Sequence, residues 1–93
     1  MATKLTEDAL EQALIGSAWN LQDGKLQRKF KFKNFVQAFG FLTQVAIYAE
    51  KMNHHPEIYN VYNNVTIDLV THDVDGISEF DLELAKIIDT LAA

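Results

Sequence analysis

Apolar residues in the middle of the chain recur at Phe35, Ala38, Phe39, Leu42, Val45, Ala46 and Ala49, the three-and-four spacing that lays one stripe along a helix. Asn34 followed by Gln37 supplies a capping-box-like start, so a long helix is predicted to run to about Met52. Val36, Phe41 and Tyr48 fall off that stripe and suggest a second buried face, either between subunits or against the first helix. Helical spacing returns at both ends of the chain. Leu5, Thr6 and Leu10 read as a hydrophobic staple around a threonine N-cap, with Glu7 and Asp8 in the first turn and Gly16 as a stop, which predicts a helix from about Glu7 to Ile15. After a break at Gly76, the run Ile77, Ser78, Asp81 and Leu82 supplies a staple and a capping box. Leu84, Ala85, Ile87, Ile88 and Leu91 then carry a final helix to about Leu91.

Between the helices the period changes to two. Trp19 to Gln22 and Lys25 to Lys33 flank Asp23-Gly24, a pair that tolerates the positive φ angles of a type I′ hairpin. Pairing Leu21 with Leu26 puts Trp19, Arg28, Phe30 and Phe32 on one side, where Arg28 is a misfit expected near an edge or snorkelling outward. Lys29, Lys31 and Lys33 read as the wet face of that strand. Ile58 to Tyr62 and Val65 to Val70, joined by Asn63-Asn64, form a second predicted hairpin. Val65, Ile67 and Leu69 alternate with Thr66, Asp68 and Val70, and continuing that parity without a bulge puts His72 on the more open side, with Thr66 and Asp68. The order α-β-β-α-β-β-α predicts one α+β domain over residues 1–93, a two-layer sandwich of a four-stranded antiparallel sheet with three helices on one face. The other face is left for solvent, ligand or another subunit.

Size and composition narrow the setting. Ninety-three residues without a cysteine cannot use a disulfide framework, a thiol nucleophile or a thiolate metal site, so the core and any subunit contacts must carry stability, and oligomerisation is expected. The first residues hold no long apolar run of the kind a signal peptide or membrane span needs, and a cytoplasmic protein with no membrane partner is the expectation. Thirteen acidic against eight basic residues give a formal charge of -5, which disfavours direct nucleic-acid binding.

The chemistry concentrates in nineteen residues that hold all three histidines, His54, His55 and His72. Histidine ordinarily titrates near neutrality, so several brought together can donate and accept protons at cellular pH. Pro56 stops any helix and fixes the His pair where helix gives way to strand. A helix end carrying Glu50 and the pair, a strand end carrying His72 and Asp73, and a helix start at Asp81 can meet at one rim of the sheet. Reactions that expel hydroxide from a carbon bearing nitrogen need one proton delivered to the leaving oxygen and one taken from the nitrogen, which suits such a cluster. A metal reading is weaker, because adjacent histidines in extended chain point oppositely and no helical His-x-x-x-His spacing is present. Taken alone, a loop His-His pair is ordinary solvated surface and His72 a strand-end cap. Ser78 is accounted for as an N-cap, and the four glycines are isolated, which excludes a phosphate-binding glycine loop.

The run Glu50-Lys51-Met52-Asn53-His54-His55-Pro56-Glu57, then Asn60-Val61-Tyr62-Asn63-x-Val65, then Thr71-His72-Asp73 and Gly76, resembles the pterin-4a-carbinolamine dehydratase family, with further likeness from Trp19 through the last helix. The resemblance implies a dehydratase without metal or other cofactor that removes water from a 4a-hydroxytetrahydropterin to give the quinonoid dihydropterin, a step in tetrahydrobiopterin recycling. It implies His54 and His72 as the main acid/base groups, and His55 as a catalytic-site residue that chiefly binds and orients the pterin. It also makes Glu50 a supporting carboxylate and places Asp73 and Asp81 at the substrate. It further implies a homodimer or homotetramer built through the long helix and the sheet edge. By analogy with animal relatives it extends to a transcription-factor partner, and by analogy with bacterial ones to molybdopterin metabolism. Two positions depart from the pattern: Ile58 stands where the family usually has an aromatic residue, and Phe80 where some animal members carry arginine.

Overall fold

A computed structural model describes residues 2–93. The elements are α1 (Glu7–Leu14), β1 (Asn20–Gln22), β2 (Lys25–Lys31), α2 (Phe35–Met52), β3 (Glu57–Val61), β4 (Asn64–Leu69) and α3 (Glu79–Ala92), with a 3-10 turn at His72–Val74 before α3. The four strands make one antiparallel sheet in the order β1-β2-β4-β3, so the α-β-β-α-β-β-α sandwich is the architecture of the chain. Cross-strand partners share a face: Leu26 with Leu69, Arg28 with Ile67 and Phe30 with Val65 look toward the helices, while Gln27 with Asp68 and Lys29 with Thr66 look away. Onto the first face pack Val45 and Ala49 of α2 and Leu84 and Ile88 of α3, all buried with Leu26, Ile67 and Leu69 in one core.

Local signals set most element ends. Thr6 accepts a hydrogen bond from the Ala9 amide at 3.1 Å, and Asn34 one from the Gln37 amide at 2.9 Å, so both caps satisfy free helix-terminal donors. The β1–β2 hairpin turns on Asp23 and Gly24, both at positive φ, with Leu21 opposite Leu26. The second hairpin differs from expectation by one residue. Val61 pairs with Asn64, so the turn is Tyr62-Asn63 and not Asn63-Asn64, and Tyr62 takes the positive φ of 52°. Asn63 is buried instead, its side-chain amide donating to the Phe32 carbonyl at 2.8 Å while its own carbonyl accepts from the Phe32 amide at 2.9 Å. Tying the two hairpins together in this way outweighs the left-handed preference of Asn.

Two packing expectations are corrected. Phe41, expected off the core stripe, is buried, its ring 5.0 Å from that of Phe30 and 4.8 Å from that of Phe32. Phe35, Phe39 and Ala46, expected in the stripe, are exposed. Apolar residues nearly surround α2, so the sheet and not the helix chooses which of them to bury. Arg28 lies neither on an edge strand nor in solvent. It pairs with Asp89 of α3 and packs its guanidinium 4.5 Å from the Phe30 ring centre, and Asp89 also accepts from the Trp19 indole N–H at 2.8 Å.

Candidate active site

The site begins at the C-terminus of α2. Asn53 adopts the left-handed conformation, its amide donates to Glu50 O at 3.1 Å, and the His54 amide donates to Ala49 O at 3.0 Å. This pair of bonds is a Schellman closure, which ends the helix three residues before Pro56 and turns the chain sharply at His54. Asn53, not the proline, is therefore the stop.

Across from it stands the start of α3. Ser78 caps the helix through its hydroxyl, which accepts from the Phe80 amide at 3.2 Å, and Asp81 returns the capping box by accepting from the Ser78 amide at 2.9 Å through Oδ2. The same Oδ2 accepts from the Thr71 hydroxyl at 2.8 Å, and Thr71 Oγ1 lies 2.6 Å from Ser78 Oγ. Asp81 is completely buried, and its other oxygen lies 2.6 Å from His54 Nε2. A capping carboxylate thus serves a second purpose: it holds an imidazole from a helix end 27 residues away in sequence. His54 faces a cavity of about 280 Å³ bordered also by Thr71, Asp73 and Phe80, with the His54 and Phe80 ring centres 6.1 Å apart.

His55 turns elsewhere. Its Nε2 lies 2.7 Å from Glu50 Oε1, both side chains are largely exposed, and they border an apolar groove of about 780 Å³ that runs along α2 past Ile47, Pro56 and Ile58. His72 sits in the 3-10 turn, not on a continuing strand: β4 ends at Leu69, and Thr71 bridges to Gly76. The turn and not strand parity sets its direction. Its exposed ring approaches Glu57 Oε2 at 3.8 Å, and Glu57 is itself held by Lys25 at 2.6 Å. That hydrogen bond to Glu57, aided by the charges of Glu57, Asp68 and Asp23, raises the Lys25 ammonium above its ordinary 10.5 against a smaller opposing effect of burial.

Each imidazole therefore engages its own carboxylate, His54 with Asp81, His55 with Glu50 and His72 with Glu57, and no hydrogen bond joins two imidazoles among the described residues. Asp81 stands behind His54, enclosed, whereas Asp73 lines the cavity. Among the described residues no group of three or more His, Asp or Glu side chains is placed to hold a metal ion. Thr71 and Glu57, read in the sequence only as parts of the family motifs, and Phe80, read only as a departure from them, enter the site without having been assigned a role there. The usable signal was Ser78-x-x-Asp81, since a capping carboxylate has a second oxygen free to bond elsewhere.

Comparison with known proteins agrees over the whole length. The family model described as pterin 4 alpha carbinolamine dehydratase matches residues 3–91. A protein of Solibacter usitatus that carries a provisional pterin-4-alpha-carbinolamine dehydratase name is 54% identical over 94 residues, covering 100% of this chain and 99% of its own. A similarly named protein of Prochlorococcus marinus is 55% identical over 93 residues, covering 97% of this chain and 95% of its own. Among solved structures, a transcriptional coactivator/pterin dehydratase from Brucella melitensis superposes with a TM-score of 0.93 at 42% identity, over 98% of this chain and 100% of that one. A pterin dehydratase-like protein described as a RuBisCO assembly factor of the alpha-carboxysome gives 0.72 at 26% identity, over 82% of this chain and 90% of that one. With its fold, its histidine motifs and its full-length relatives in agreement, the chain belongs to the pterin 4 alpha carbinolamine dehydratase family.

Proposed function

We propose that the protein dehydrates a 4a-hydroxytetrahydropterin to the quinonoid dihydropterin, with histidines as general acid and base, in the recycling of a tetrahydropterin. The carrying observation is His54 held by the fully buried Asp81 at the edge of a cavity that Asp73 and Phe80 also line. In the reaction the C4a–OH bond breaks as a proton reaches the departing oxygen, N5–H loses a proton, and the N5 pair forms the C4a=N5 bond, so that one water leaves and no redox change occurs. Two proton carriers suffice, and His54 and His72 take these roles. His55, steadied by Glu50, binds the pterin from the groove along α2, Asp73 binds it from the cavity beside His54, and Asp81 acts on the substrate through His54.

The test is stopped-flow decay of the 4a-carbinolamine against its spontaneous rate, which purified protein should accelerate and exhaustive chelation should leave unchanged. His72→Ala is the informative variant. Its ring is mostly exposed, so truncation leaves the core intact, whereas removing His54 strands a buried carboxylate and confounds chemistry with folding. Loss of a general acid or base should lower turnover roughly a hundredfold or more. Unchanged turnover in His72→Ala, or no acceleration by the wild type, would end the proposal.

A second reading rests on the exposed face of α2, where Phe35, Val36, Phe39 and Ile47 stay in contact with solvent in a single chain. So much apolar surface on one helix favours self-association through that face. The coactivator and assembly-factor relatives make a non-catalytic partner role for the same scaffold the alternative to catalysis.

A further inference from the structure

The hydrogen bonds behind His54 decide more than its position. Thr71 has one hydroxyl proton, and it is directed to Asp81 Oδ2. Its bond to Ser78 Oγ must then be donated by the serine, whose own oxygen accepts from the Phe80 amide. A one-way chain results, running from the Phe80 amide through the Ser78 and Thr71 hydroxyls to Oδ2. The Ser78 amide joins it there as a second donor. Oδ2 is thereby filled by two protons that cannot be turned around, since one belongs to a backbone amide and the other ends an ordered chain. The carboxylate is left with Oδ1, an acceptor, 2.6 Å from His54 Nε2.

We propose that the buried Ser78–Thr71–Asp81 network locks His54 in the tautomer protonated at Nε2, so that Nδ1 is the nitrogen that exchanges protons with substrate, and that Thr71 is a positioning residue for this exchange. Nδ1 has no hydrogen-bond partner among the described residues, yet it is not among the buried polar atoms left unsatisfied, so it keeps solvent contact on a ring that borders the cavity. Neutral His54 presents a lone pair at Nδ1 and serves as base; charged His54 presents a proton at the same atom and serves as acid. This deepens, and rests on, the dehydratase reading.

The substitution Asp81→Asn gives a sharp test because the network dictates how the introduced amide must sit. Its oxygen takes the place of Oδ2, under the Ser78 amide and the Thr71 hydroxyl, which leaves its NH2 group facing Nε2. Nε2 must then accept, and the imidazole proton moves to Nδ1. Long-range 1H–15N correlation spectra of the free, 15N-labelled protein, taken where the ring is neutral, read the tautomer directly. Wild type should show a protonated Nε2, and Asp81→Asn a protonated Nδ1. Turnover of that variant should fall at least about a hundredfold, the same kind of loss that a wrong tautomer causes in a Ser-His-Asp triad. Thr71→Val should mix the tautomers and lower kcat about tenfold at nearly constant KM, and Thr71→Ser should restore both. A wild-type spectrum with Nδ1 protonated would place the shared proton on Asp81 and overturn the proposal, whether or not either variant folds. It is equally overturned by an inverted tautomer in Asp81→Asn at undiminished turnover, or by Thr71→Val matching wild type in spectrum and kcat. The locked tautomer with no dehydratase turnover would support the lock and count against the dehydratase reading alone.

Discussion

Lys25 and Glu57 show how far one ion pair reaches. The pair joins the turn end of β2 to the start of β3 across the open face, and the second oxygen of Glu57 is the one that approaches His72. Because Glu57 raises the Lys25 ammonium above 10.5, the folded state favours the charged lysine. The resulting stabilisation is complete below 10.5 and disappears as pH climbs through the raised value. Solvent contact on both side chains keeps it small. Denaturant melts of wild type and Lys25→Met should therefore differ slightly at neutral pH and converge in strongly alkaline buffer, whereas a gap that widened with pH would contradict this sign.

At the scale of an element, the end of α2 matters most, since the turn at Asn53 aims the two neighbouring histidines apart. A non-glycine residue in the left-handed region is strained, and Asn tolerates it better than residues with apolar side chains. Asn53→Ala should cost about 1 kcal/mol in chemical denaturation, and Asn53→Gly should match or exceed wild type. If alanine were as stable as glycine there, the left-handed cap would not be what ends the helix. The helix end had been legible in the sequence to within a residue, but its cause had not. Pro56 is conspicuous, while the Schellman closure depends on backbone carbonyls at Ala49 and Glu50 that no side-chain pattern displays.

For the molecule as a whole, the unpartnered face of α2 is the outstanding feature. If it mediates self-association, sedimentation should find a species larger than one chain. Val36→Glu together with Phe39→Glu should shift it to the monomer without loss of helix content, because both side chains already face solvent in the single chain. A wild-type protein that sediments as a monomer at all accessible concentrations would refute the assembly.

The sequence by itself determined the order of elements, the three helix caps at Thr6, Asn34 and Ser78, the Leu21–Leu26 register and the family, because each rests on residues close together in the chain or on a motif of fixed spacing. Only the tertiary structure decided that Phe41 is core and Phe39 surface, that Arg28 finds Asp89 at a separation of 61 residues, and that His54 finds Asp81. The physical reason is shared. A helix apolar on several sides can bury any of them until a sheet is laid against it. A charged or ionisable group with several carboxylates within reach of the sequence is assigned its partner only when burial makes an unpaired choice too costly.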